Sequence, residues 1–492
     1  MRTRAAKPAS KLASGGSLMM ISKFDRALNS LKSPKTANDS DRRLRRARAK
    51  WRGAGLISIA LFAAALHSGP AYGAENDAVR VWNEQAVITL VNGPTAETPG
   101  VQFAPPVSMI HLAIVQGAVY DAVNAIKGGH QPYLGGLKAP TSASKGAAAA
   151  TAAHHVLIGL VNQAPVTATL TVAIKTAIKT RLDTEYASSL AEIPAGQAKA
   201  KGIEVGAAAA AAMLANRLGD GRFGTGGFPV GSAPGEWRPV GPGFVNDPNG
   251  WVRNVRPFTL PQSEYFHTPA PLALTSTQYA VEFNEVKALG ALNGSTRTAA
   301  QTLLANWSAP HPAPTLYAAM RQVAAAKGLT ISEQARFHAM TSMTGADSLI
   351  NCWAEKAHWN FWRPTTAIQL AGSDDNPDTE ADADWTSLGA VPPYPDDPSG
   401  ANCVYSGVMN SAKAFFGSDA AQFDLTNAVA TRSYSSFTAV IPDMIEARML
   451  LGIHFRRPDV SGAWLGQQVA EYVDANFFNC GPPGQCKQEE RE

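Results

Sequence analysis

Three short stretches of this 492-residue chain hold residue types suited to chemistry on an anion. KAHWNFWRP, residues 356–364, sets Lys356 and Arg363 seven apart among aromatic residues. Seven residues is about two helical turns, so on a continuing helix the two cations fall on nearly one face. PSG, residues 398–400, offers the Ser399 hydroxyl and, at Gly400, a backbone N–H open to close approach. ARMLLGIHFRRPD carries Arg448 and His454. Their spacing is about 240° on a regular helix, so they share a pocket only if the helix ends between them, as Gly452 allows. Guanidinium forks pair two oxygens at once, lysine acts as a point charge, and a neutral imidazole can bond a central phosphorus or metal atom. Together the set is an oxyanion site. Taken alone, Lys356 and Arg363 read first as a solvated cationic stripe on an amphipathic helix.

The elements that must position these residues read as helices. SMIHLAIVQGAVYDAVNAI (108–126) has helical apolar spacing, and alanine-rich segments at 146–160 and 203–217 read as packed helices. Thr330 and Glu333 fit a capping box that opens a helix of about thirty residues, ending at the Arg363-Pro364 step. Residues 219–274, rich in Gly, Pro, Trp and Phe, read as a long ordered loop. PDTEADADW and VPPYPDDPSGANC form a second loop, in which Asp396 and Asp397 are turn-forming acids or candidate proton donors. Alternating strand patterns are few. The expectation is an all-α fold of two helical halves, 75–300 and 301–480, between a leader (1–74) and a tail (481–492).

The three stretches resemble the shared pattern of the vanadium-dependent haloperoxidases and the related type 2 phosphatidic acid phosphatases: K-x6-R-P, then P-S-G-H, then R-x5-H. Lys356, Arg363-Pro364, Pro398-Ser399-Gly400, and Arg448 with His454 match it in order. VWNEQA, AVYDAVNAI, PFTLPQSEYF and GIHFRRPD look like the bacterial haloperoxidase branch. The resemblance implies paired helical bundles, with vanadate or phosphate held in the C-terminal one. It implies that His454 is the axial metal ligand, or the phosphate-accepting nucleophile. Lys356, Arg363 and Arg448 would neutralise the oxyanion, Ser399 and Gly400 would complete its hydrogen bonds, and Trp353 and Tyr394 would shape a halide pocket. Hydrogen peroxide, with halide or a small organic molecule, would be the substrates.

The pattern breaks at Ala401, which stands where the acid–base histidine belongs. Asn402 follows and is the candidate replacement; it can donate a hydrogen bond but cannot shuttle a proton near neutral pH. Three functions stay open: a vanadate-dependent haloperoxidase, an exported acid phosphatase, and a non-catalytic oxyanion-binding homologue.

Composition bounds the rest. The chain is 45% hydrophobic and 17% charged with a net charge of +4, a globular balance. Much of the basic excess lies in the first 52 residues, so the charge argues for a leader and not for nucleic acid binding. Residues 42–52 are basic, 54–66 apolar, and small residues follow to Ala74, the order of a signal peptide cleaved near Gly73 or Ala74. The expectation is an exported protein with no stable membrane span after cleavage. Cys480 and Cys486 flank a tight turn and could pair; Cys352 and Cys403 are either a pair or buried thiols. The absence of CxxC and HExxH leaves zinc chemistry little support. The 203–217 face is a candidate homo-oligomer interface.

Overall fold

The computed structural model describes residues 74–481, which fall within one compact unit. The leader with its cleavage site, and Cys486, lie outside the described residues. Helices dominate. The N-terminal half holds α1 (Ala74–Val91), α2 (Pro105–Lys127), α3 (Lys145–Gln163), α4 (Val172–Ala191) and α5 (Gln197–Asn216). After a long loop come α6 (Thr277–Leu289), α7 (Ala299–Trp307), α8 (Pro312–Ala326), α9 (Ile331–Trp359) and α10 (Pro364–Gln369). The chain closes with α11 (Gly400–Phe416), α12 (Val440–Leu450) and α13 (Arg456–Asn476). One antiparallel hairpin, Ala420–Thr426 with Thr431–Ser436, is the only named sheet among the described residues. α2 is long and apolar enough to cross a membrane, but 94% of its apolar window is buried inside the protein.

α9 is the axis of the molecule, packing on α2 on one side and α11 on the other. It opens as the sequence predicts: the Thr330 hydroxyl accepts from Glu333 N, and the Glu333 carboxylate accepts from Thr330 N. Asp347, Asn351 and Glu355, one turn apart and fully buried, clamp the long loop to this rod. Asp347 accepts from Phe258 N, Thr259 N and Leu260 N at 2.7, 2.6 and 3.1 Å. Asn351 pairs with the backbone of Phe266, and Glu355 accepts from Thr268 N at 2.7 Å.

α11 and α13 make the most extensive helix pair. Glycine allows it: a Cβ on Gly462 would lie 2.4 Å from Ser399 O, and one on Gly466 would lie 2.2 Å from Cys403 O. The two backbones therefore touch, and the contact fixes the N-terminal end of α11, where Ser399 sits.

One expectation needs correction. Lys356 and Arg363 do not share a helix. α9 stops at Trp359, Asn360 adopts a left-handed conformation (φ 45°), and Arg363 is the N-cap of α10. The intervening turn is held on both sides. Trp237 N donates to Asn360 O at 2.7 Å and Trp362 N to Gly235 O at 2.9 Å, while Asp396 N donates to Phe361 O at 2.9 Å. The GEWRP loop thus has a structural task, presenting Arg363 to the site from beyond the helix end.

Candidate oxyanion site

Lys356 and Arg363 are fully buried, and His454 nearly so. Lys356 Nζ donates to Pro395 O and Asp396 O at 2.8 and 3.0 Å, leaving one of its three N–H groups. Arg363 Nε donates to Tyr394 O at 2.9 Å and Nη1 to Ile453 O at 2.6 Å. Arg363 Nη1 also lies 3.3 Å from both ring nitrogens of His454. Gly452, with φ +74°, ends the turn after α12, and His454 precedes α13. The helix break expected between Arg448 and His454 is therefore present.

The point on which these groups converge holds a side chain, Asp396. Its Oδ1 is hydrogen-bonded to His454 Nδ1 and lies 3.4 Å from Arg363 Nη1, and its Oδ2 accepts from Phe455 N at 3.2 Å. Burial raises its pKa to about 7 against the pull of Arg363 and Lys356. Burial, reinforced by Arg363, Lys356 and Arg448, holds His454 well below the usual imidazole range, so both partners are pushed toward their neutral forms. Lys356 is drawn down to about 8 by the same desolvation. Asp397 is raised to about 8 by burial and by the Asp396 charge, and neither of its oxygens has a hydrogen-bond partner among the described residues.

A cavity of about 430 Å³ opens beside this cluster. Trp353, Tyr394, Gly400, Ala401, Arg448 and His311 are among its walls. The rings of Trp353 and Tyr394 lie 5.0 Å apart, and Tyr394 has Lys356 Nζ and the Arg363 guanidinium each 5.0 Å from its ring centre. Trp353 Nε1 donates to Asp247 at 3.2 Å. Arg448 Nη1 donates to Ser308 O at 3.1 Å, and the Arg448 charge acts on Arg363, Tyr394 and His454. Beyond residues 389–392 lies a second cavity of about 1010 Å³, whose walls include Phe244, Val245 and Leu370.

Asn402 is almost fully buried and does not line the cavity; Ala401, its neighbour, does. The Asn402 amide donates to Asp459 Oδ1 at 2.8 Å and to Ser399 Oγ at 3.3 Å. Burial raises Asp459 well above the usual carboxylate range.

Asp459, Asp247 and His311 were not singled out in the sequence. Asp459 had a weak signal, an acid in the first turn of a helix directly after GIHFRRP. His311 had none. Its Nδ1 accepts from Ala313 N at 3.2 Å and its Nε2 lies 3.0 Å from Ser108 Oγ, so both nitrogens are engaged, and burial lowers its pKa to about 4. His358 is exposed beside His267, and His338 is fully buried. Cys352 and Cys403 are buried free thiols in contact next to Lys356. Cys480 is disulfide-bonded.

Comparison with known proteins bears on this arrangement. Residues 336–479 match the family model of the VCPO second helical-bundle domain. A bacterial vanadium-dependent iodoperoxidase superposes with a TM-score of 0.64 at 19% identity, covering 82% of this chain and 97% of its own. The fold is that of the vanadium-dependent haloperoxidases. The holo form of a bacterial vanadium-dependent chloroperoxidase gives 0.60 at 15% identity, covering 80% and 95%. The apo form of such a chloroperoxidase gives 0.59 at 16%, covering 75% and 92%. No curated protein matches the sequence.

Within this haloperoxidase fold the donor set suits an oxyanion. Arg363 Nη2 and Arg448 Nε are buried N–H groups with no partner among the described residues. Lys356 has an N–H to spare, and Gly400 begins α11, whose first N–H groups are free of intrahelical partners. Gly400 also packs its backbone on Trp353, where a Cβ would come within 2.9 Å.

Proposed function

We propose that this protein is an exported, vanadate-dependent, haloperoxidase-like enzyme that uses hydrogen peroxide to oxidise a halide or a small organic molecule. The observation that carries this reading is the convergence of Lys356, Arg363 and His454 beside a cavity walled by Trp353, Tyr394 and Arg448. Lys356, Arg363 and Arg448 would hold the oxyanion's charge, Ser399 and Gly400 its remaining oxygens, and His454 its metal. Bound vanadate would supply Lewis-acid activation of peroxide.

The chain's own residues do the rest. Asp396 holds His454 at Nδ1, so Nε2, 3.3 Å from Arg363 Nη1, is the ring nitrogen that would meet the metal. Lys356, with a pKa of about 8, stays charged at neutral pH and can polarise an oxygen next to it. Asn402 acts through Ser399, whose hydroxyl it fixes. The Trp353–Tyr394 corner gives halide or an organic molecule an aromatic wall. The names of the structural neighbours, iodoperoxidase and chloroperoxidase, put halides first among the substrates to test.

Phosphomonoester hydrolysis is a second reading, favoured by Asp396. A carboxyl with a pKa near 7 against His454 would supply a proton to a site that lacks the family's histidine.

The deciding experiment is bromination of a cyclic diketone by the mature protein with hydrogen peroxide, with and without orthovanadate, run beside hydrolysis of an aryl phosphate. Halogenation that needs vanadate supports the first reading. Hydrolysis that vanadate inhibits replaces it with the second. Oxyanion binding with neither activity leaves a non-catalytic homologue.

A further inference from the structure

An oxyanion cradle works by excess positive charge, and here buried carboxyl groups stand among the cations. Lys356, Arg363 and Arg448 face three buried carboxylates, Asp396, Asp397 and Asp459. Glu282 and Arg457 add one charge of each sign at the rear, where Glu282 acts on Asp396 and Arg457 on Asp397. The three acids are not equivalent. The Asp397 carboxyl has no hydrogen-bond partner among the described residues, and Asp459 is turned to Asn402. Asp396 reaches three groups close to where an incoming anion would sit: His454, Arg363 and the Phe455 N–H at the turn into α13.

We propose that Asp396 is an internal counter-anion that sets the affinity and charge preference of the oxyanion site. This rests on the reading of the site as an oxyanion cradle. Its carboxylate shares Arg363 with the ligand and repels each negative charge the ligand brings. The site therefore takes the less charged, more protonated form of a tetrahedral oxyanion in preference to the dianion.

The Asp396→Asn substitution removes the charge while its amide oxygen can still accept from His454 Nδ1, at the loss of the bond from Phe455 N. Calorimetric titration at pH 8 with orthovanadate and with inorganic phosphate is the test. Asp396→Asn is expected to bind both about tenfold or more tightly, since unit charges a few ångströms apart within a protein interact by at least one tenfold step in an equilibrium constant. Asp397→Asn, one residue further from the cradle, is expected to change affinity less. Unchanged or weaker binding by Asp396→Asn, with binding by the unsubstituted protein intact, overturns the proposal and makes Asp396 a positioning residue. Absence of binding in every variant overturns the cradle reading itself. Asp396→Ser, which keeps an acceptor without the charge, is measured in parallel, so the test survives a folding failure of the asparagine variant.

Discussion

Ala401 sits half-buried on the cavity wall, in the first turn of α11. Its methyl group is the smallest obstacle to restoring an imidazole there. Ala401→His is expected to raise vanadate-dependent bromination about 10- to 100-fold, the lower part of the range for general acid–base help. The rate of diketone bromination at saturating peroxide checks this. Asp396 also has a signature in stability. Its pKa is raised from the ordinary carboxylate range to about 7 in the folded protein. The folded state therefore holds the proton more tightly than the unfolded chain, and stability is fully present below about pH 4 and is lost as pH rises toward 7. Asp396→Asn cannot lose stability this way. Its unfolding free energy relative to the unsubstituted protein is expected to rise by an amount on the order of 3 kcal/mol between pH 5 and pH 8, as measured by denaturant unfolding. A pH-independent difference would mean that Asp396 is ionised throughout.

At the scale of elements, the site depends on two contacts that carry no charge. The touching backbones of α11 and α13 at Gly462 and Gly466 set where Ser399 stands. Gly466→Ala is expected to destabilise the protein by about 1–3 kcal/mol through overpacking and to weaken vanadate binding, as measured by denaturant unfolding and titration. Asp347 is the second anchor. Asp347→Ala strips the acceptor from three backbone N–H groups of a buried loop, an expected loss of about 3 kcal/mol or more. Such elements were unequally legible in the sequence. Thr330 and Glu333 announced the start of α9, because capping is local chemistry. The end of α9 is less legible: Asn360 leaves the helix in a left-handed turn, and tertiary hydrogen bonds from the GEWRP and Pro/Asp-rich loops hold that turn. The burial of Asp396 was hidden for the same reason. Flanked by Tyr-Pro and Asp-Pro it reads as a surface turn, and only long-range packing against His454 and Arg363 puts it inside. The hairpin at 420–436 was half legible: Ala421, Phe423 and Leu425 alternate with polar residues in its first strand, but the second buries only Tyr434.

On the scale of the whole molecule, α9 carries the capping box, the loop clamps, the cavity aromatic Trp353 and Lys356 on a single rod. Ligand binding at one end is thus linked to the stability of the whole described unit. Orthovanadate at about 100 times its dissociation constant is expected to stabilise the fold by about 2.7 kcal/mol, seen as a rise in melting temperature. Lys356→Ala is expected to abolish that rise. The wall formed by residues 389–392 has a different consequence. Gly389, Ala390 and Pro392 face the reactive cavity on one side and the larger, more open one on the other. Thr386, Ser387, Leu388, Val391, Gln369 and Leu370 line only the outer cavity, so substitutions at them can alter which molecules come to rest on the outer face. The charges behind Tyr394 need not change with them. A lineage built this way can explore new substrates while inheriting its reactive centre unaltered.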